Sequence, residues 1–217
     1  SAEGKLALDR GTESKTKEAA LVKTQNDPKI ELYLIIGTWI VAFMANGCEH
    51  AVATWLTTYG THNCGLNEEV MAIMTSNYWT VMSIGRVVWA VFSGLVKSAW
   101  PVLFINATCC LLAGLLFVST SEGIVWGGAI MLGAGISSSF PALITLAPEL
   151  NIEMTPRKMA YLQLGASAGE MICPYLMGIV FEFRLYHWFG PFTLVCQVMS
   201  VIALTVMYNA TAPARSK

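Results

Sequence analysis

The sequence is short of charge. Asp, Glu, Lys and Arg make up 12% of its 217 residues, against about 25% in an ordinary soluble domain. That shortage excludes a typical soluble enzyme domain and a disordered chain. A net charge of −1 leaves no electrostatic footprint for DNA or RNA. Paired cysteine spacing is missing too. Cys48, Cys109, Cys110, Cys173 and Cys196 lie in apolar runs and Cys64 in a polar loop, so neither a disulfide framework nor a metal site is indicated. They read as small buried residues. What the chain has instead is 55% hydrophobic residues, the composition of a solute for lipid.

The little charge is unevenly placed. Residues 1–29 hold 11 of the 27 charges and show no apolar periodicity. They cannot bury enough surface to fold alone, and they lack the apolar core of a signal peptide. The expectation is a disordered polar linker on the cytoplasmic side, with Ser1 a cut point.

Six apolar runs follow, at 31–59, 70–95, 101–119, 123–147, 159–182 and 190–209. Each is near the ~20 residues that cross a bilayer, and each is too long for a barrel strand. The expected fold is an all-α membrane protein, a six-span unit over 30–210 with a cytoplasmic tail at 211–217. Six spans put both termini on one side. The inner segments then hold eleven of the thirteen Lys and Arg residues and the outer loops hold only Arg184, the thirteenth, Arg86, lying within a span. By the positive-inside rule the termini are cytoplasmic.

The loops repeat. A longer polar loop follows spans one and four, a short connection follows spans two and five, and spans three and six open on Trp100–Pro101 and Gly190–Pro191. This spacing predicts a 3+3 inverted repeat.

Charged groups at span centres cost about 2.5–3.5 kcal/mol on insertion scales, so they face protein or water. Glu49, His50, Arg86 and Glu170 are in this class. Asn46, Glu49 and His50 share one helical face, as a solute- or proton-handling wall or as a hydrogen-bonded lock between helices. Gln163, Ser167, Glu170 and Pro174 share another, and Pro174 is expected to break the helix there. Arg86 and Glu170 lie at similar depths, which permits a salt bridge between them. Trp55 and Tyr59 read as an interfacial belt; Trp79, set deeper, is a candidate for solute stacking. Span four carries Gly133, Gly135, Ser137, Ser138, Ser139 and Pro141, either for close packing or for bending. Gly165 to Gly169 fits the G-x-S-x-G nucleophile pattern, but within a lipid-length helix it reads as a G-x-x-x-G packing face. The Asn-Ala-Thr triplets at Asn106 and Asn209 are not glycan sites.

These residues carry a resemblance. Gly47–Cys48–Glu49 with Trp55 and Tyr59, then Tyr78–Trp79 with Gly85–Arg86, then Ser137–Ser138–Ser139–Phe140–Pro141, then Gly165 to Met171 with Pro174 and Gly178 follow in order over residues 31–209. They resemble the C-terminal six-helix half of the major facilitator superfamily, and within it the fucose permease and sodium-dependent glucose transporter-like group. The loop after span two keeps only Lys97 of that superfamily's usual Asp-Arg-x-Gly-Arg, and His50 has no match in the pattern.

The resemblance implies secondary active or facilitative transport of a small polar solute, a hexose preferred, by alternating access. Asn46, Glu49, His50, Trp79, Gln163 and Glu170 would line the solute or ion path. Arg86, Gly133, Gly135, Pro141, Gly165, Gly169 and Pro174 would be structural or gating residues. No catalysis and no bound cofactor are implied beyond a coupling proton or sodium ion, as in symport. The implied partners are the bilayer, the solute and a missing N-terminal six-helix half, with the plasma membrane as the favoured location. A non-transporting receptor or scaffold on the same fold, and a six-span protein that dimerises to make its own carrier, are the alternatives.

Overall fold

The computed structural model describes residues 28–150 and 152–212. Nearly all of the linker expected over 1–29 and most of the tail expected over 211–217 lie outside the described residues. Pro28 and Lys29 open the first helix.

Among the described residues, seven α-helices form six rods. They are α1 (Pro28–Asn63), α2 (Glu68–Phe92), α3 (Ala99–Leu116), α4 (Glu122–Ser137), α5 (Ser139–Glu149), α6 (Pro156–Glu182) and α7 (Phe189–Ala210). Helices α4 and α5 make one rod, broken at Ser138. Single 3₁₀ turns, Ser93–Leu95 and Tyr186–Trp188, make the short connections after α2 and α6. Side-chain caps fix several starts: Asn67 accepts from the Glu69 N–H, and Thr155 accepts from the Lys158 N–H ahead of Pro156. Helix α6 ends where Arg184 takes a φ of 59° and Leu185 N–H reaches back to the Val180 carbonyl, a left-handed closure usually given to glycine.

Five of the rods are long and apolar enough to cross a membrane. The sixth, α2, falls short of that apolarity because Thr75, Ser76, Asn77, Thr80, Ser83 and Arg86 interrupt it. Helix α1 has 36 residues, about 54 Å at 1.5 Å per residue, well beyond a hydrocarbon core of roughly 30 Å.

Helix α1 packs on α6 and α7, α4 packs on α2 and α3, and α3 packs on α7. Glycines set the closest approaches. A Cβ on Gly169 would meet the Phe43 main chain, one on Gly165 the Trp39 ring, and one on Gly133 the Tyr78 carbonyl. Residues 165–169 therefore act as a packing face, as their spacing predicts.

The buried apolar residues form two clusters. One holds Leu56, Tyr59, Tyr78, Phe117 and Phe189; the other holds Leu34, Trp100, Leu103, Leu146 and Met207. Between them runs a polar waist to which every rod contributes: Asn46 and Glu49, Arg86, Asn106, Ser137 to Ser139, Glu170, and Gln197. The belt expected for Tyr59 is corrected here. Tyr59 is fully buried, stacks on Phe189 with ring centroids 4.4 Å apart, and its hydroxyl lies 2.7 Å from the Phe117 carbonyl. Trp55 donates its indole N–H to the Pro174 carbonyl at 2.8 Å. Both indole and phenol are held by neighbouring helices, which outcompete water as partners.

Candidate functional site

The waist opens into a cavity of about 420 Å³ lined by Asn46, Glu49, His50, Trp79, Arg86, Ile136, Ser137, Phe140, Pro141, Gln163 and Glu170. Helices α1, α2, α4, α5 and α6 supply these walls; α3 and α7 stand behind. All six residues expected on a solute path line this one space, and so do Arg86 and Pro141. Gly133, Gly135, Gly165, Gly169 and Pro174 are not among its lining residues; the glycines set helix approaches behind it.

On α1, one helical face carries Asn46, Glu49 and His50. Glu49 is only 3% exposed, and its carboxylate accepts a 2.8 Å charge-assisted bond from Arg86 on α2. The salt bridge expected between Arg86 and Glu170 is therefore corrected: Arg86 pairs with Glu49. The reason is packing. Gly85 lets α2 close on Ser137 of α4, and Tyr78 reaches across toward the Glu49 carbonyl at 3.3 Å, which holds this part of α2 against α1. The guanidinium end stays about half exposed toward the cavity.

Glu170 has a different partner. It accepts from the Asn46 amide at 3.4 Å, a long and weak bond. The lining thus holds two carboxylates and one guanidinium, with the guanidinium committed to Glu49. His50 Nδ1 lies 3.1 Å from the Asn46 carbonyl. A carbonyl only accepts, so Nδ1 carries the proton in that bond, and a neutral ring leaves Nε2 as an acceptor. The edge of the His50–Trp79 pair, with centroids 6.5 Å apart, sets a rim on which a flat apolar face can rest. Gln163 lies 3.5 Å from the Ser167 hydroxyl, near the limit of a hydrogen bond. The site can offer carboxylate, imidazole and amide acceptors together with free guanidinium N–H groups, a set suited to a solute with several hydroxyls or other paired donors and acceptors.

Pro174 does not break its helix. Helix α6 runs unbroken from Pro156 to Glu182. The break lies in the fourth rod instead, at Ser138, whose N–H turns back to the Ile136 carbonyl. Two cavity residues precede it, Ile136 and Ser137, and two follow it, Phe140 and Pro141. Sequence reasoning weighed the small residues of this rod for packing or bending and did not place Ile136 or Phe140 at the cavity. The signal was the Ser137–Ser138–Ser139 triplet, three residues whose hydroxyls compete with helix bonding.

No protein-family model matches the chain. Curated relatives do match at low identity. A protein of Danio rerio named sodium-dependent glucose transporter 1 is 26% identical over 170 residues, 77% of this chain and 28% of that protein. Major facilitator superfamily domain-containing protein 4A of Homo sapiens is 25% identical over 163 residues, 74% of this chain and 30% of that protein. The Mus musculus form is 23% identical over the same length. The resemblance is to the major facilitator superfamily. This chain spans about 30% of the length of the superfamily relatives it matches. Its apolar helices and this resemblance mark an integral, multi-pass membrane protein.

Proposed function

We propose that this chain is one six-helix unit of a secondary transporter, and that the waist cavity is its half of a solute site reached by alternating access. The observation that carries the reading is the convergence of four rods on one polar cavity, with an ion pair in its wall whose carboxylate is buried and whose guanidinium faces the cavity. Intramembrane charges are costly and are kept where they face solute, water or one another. A cavity of this size lies within the usual range for small-molecule sites, about 300–1,000 Å³.

The 3+3 inverted repeat belongs to the same proposal. Two features support it. Exchanging rods one, two and three with rods four, five and six converts the α1–α6 contact into the α4–α2 contact, and the α1–α7 contact into the α4–α3 contact. The two 3₁₀ turns also fall at equivalent places, after the second and fifth rods. A carboxyl-terminal position in a twelve-helix carrier, with both termini cytoplasmic and the plasma membrane as its home, completes the reading.

A hexose is the proposed solute, supported by the name of one relative and by the mix of acceptors, guanidinium donors and an indole in the lining. Glu170, held among the described residues by one long amide bond, is the proposed position for a coupling proton or sodium ion. The test is uptake of radiolabelled D-glucose into vesicles carrying the protein together with its partner half. Saturable uptake above empty vesicles is expected. Solute binding without uptake would favour the receptor or scaffold reading, and uptake by this unit alone as a dimer would favour the self-contained carrier.

A further inference from the structure

The break in the fourth rod is held from behind. Asn106 lies on α3, is not among the cavity-lining residues, and is 7% exposed. Its amide donates to the Ser138 hydroxyl at 2.9 Å and approaches the Ser139 hydroxyl at 3.3 Å. Ser139 in turn donates to the Gly135 carbonyl at 3.0 Å. One amide therefore bonds the break residue and the first residue of α5 and ties them to α3, while Ser139 links back to α4.

The close approach is built in. A Cβ on Gly135 would sit 3.0 Å from the Asn106 carbonyl and 2.8 Å from the Cys110 sulfur. Only a glycine lets α4 rest on α3 so near Asn106. The far end of α5 is fastened to the same helix. The Glu149 carboxylate accepts from the Ser98 hydroxyl and, at 2.9 Å, from the Ala99 N–H, where it meets the positive start of α3. Helix α5 is thus pinned to α3 at both ends, and Phe140 and Pro141 ride on it into the cavity.

We propose that Asn106 is a positioning residue: by bonding Ser138 and Ser139 across the break, it sets where the Ile136–Pro141 wall stands in the solute cavity. Its consequence for solute rests on the transport reading above; the clamp itself does not. An unclamped break lets α5 hinge on α4, and the wall then loses a fixed position.

The test is hydrogen exchange by mass spectrometry on the full chain in lipid nanodiscs, with Asn106→Leu, the pair Ser138→Ala with Ser139→Ala, and all three together. Leu keeps the volume and removes the donor. Exchange over residues 136–146 is expected to rise about tenfold in each variant, with α6 and α7 unchanged, and the triple variant is expected to add little to either parent because both remove one linkage. Should Asn106→Leu fail to fold, the serine pair gives the same reading. Unchanged exchange over 136–146, or a uniform rise over every helix, would overturn the proposal. D-glucose uptake supplies the second readout: the apparent KM is expected to rise about threefold or more with Vmax per molecule nearly kept. A fall in Vmax alone would mark Asn106 as merely structural and overturn its positioning role. No uptake by the unaltered protein would count against the transport reading, while the exchange data would still decide the clamp.

Discussion

Glu49 and Arg86 are unequal partners, and their inequality predicts how each fails. The carboxylate is buried and the guanidinium is about half exposed. Arg86→Ala leaves a buried carboxylate with no cation, so a loss on the order of 3 kcal/mol is expected. Glu49→Gln leaves Arg86 with access to water in the cavity, so the expected loss is about 1 kcal/mol. Thermal unfolding of the detergent-solubilised protein measures both; equal losses would show that the pair is solvated on both sides. The candidate residues themselves were legible one by one, because a carboxylate, an imidazole or a guanidinium in an apolar run has few reasons to be there. Their pairing was not. Depth along a span pointed Arg86 to Glu170, and rotation of the helices about their axes, set by Gly85 on Ser137 and by Tyr78 on α1, gave it Glu49 instead. Asn106 was dismissed as a glycan site and has a structural partner that only the tertiary fold brings near.

Helices here are held by close backbone contacts that small residues permit. Gly169 is the tightest case on α6, since a Cβ would meet the Phe43 carbonyl carbon at 2.8 Å and its Cα at 3.0 Å. Backbone cannot swing aside as a side chain can, so Gly169→Ala is expected to cost about 1–3 kcal/mol, read as a lower unfolding temperature. Gly123 has open space around it, and Gly123→Ala should leave that temperature nearly unchanged. Arg184 presents the reverse situation. Its φ of 59° carries a cost of about 1–2 kcal/mol for a residue with a Cβ, so Arg184→Gly is expected to stabilise by up to about 1 kcal/mol after the added freedom of the unfolded chain is counted. Helix existence was legible from apolar runs of lipid length. Helix breaks were not: proline chemistry pointed to Pro174 in α6, yet that helix stays continuous and Trp55 bonds the Pro174 carbonyl, while three serines broke the fourth rod at Ser138.

The whole molecule is two apolar clusters joined by a polar waist, and the waist is where function is proposed. Many apolar side chains remain exposed on the rods beside the cavity, among them Val87 and Val91 on α2 and Met171 and Tyr175 on α6. Such surface is at home in lipid or against a second helical unit, which fits a chain that spans about 30% of its superfamily relatives. The sequence patterning conveyed an all-helical membrane unit because hydropathy needs no knowledge of contacts. It could not convey which rods stand in front, because that depends on which faces pack. The central claim is that the waist carboxylates handle solute or its coupling ion. Its direct test is D-glucose uptake, normalised to protein in the membrane, by Glu49→Gln and Glu170→Gln in the protein expressed with the proposed partner half. The account predicts that each substitution lowers uptake about tenfold or more, equivalent to roughly 1.4 kcal/mol, while membrane abundance stays within about twofold of the parent. Parent-level uptake in both variants would contradict it.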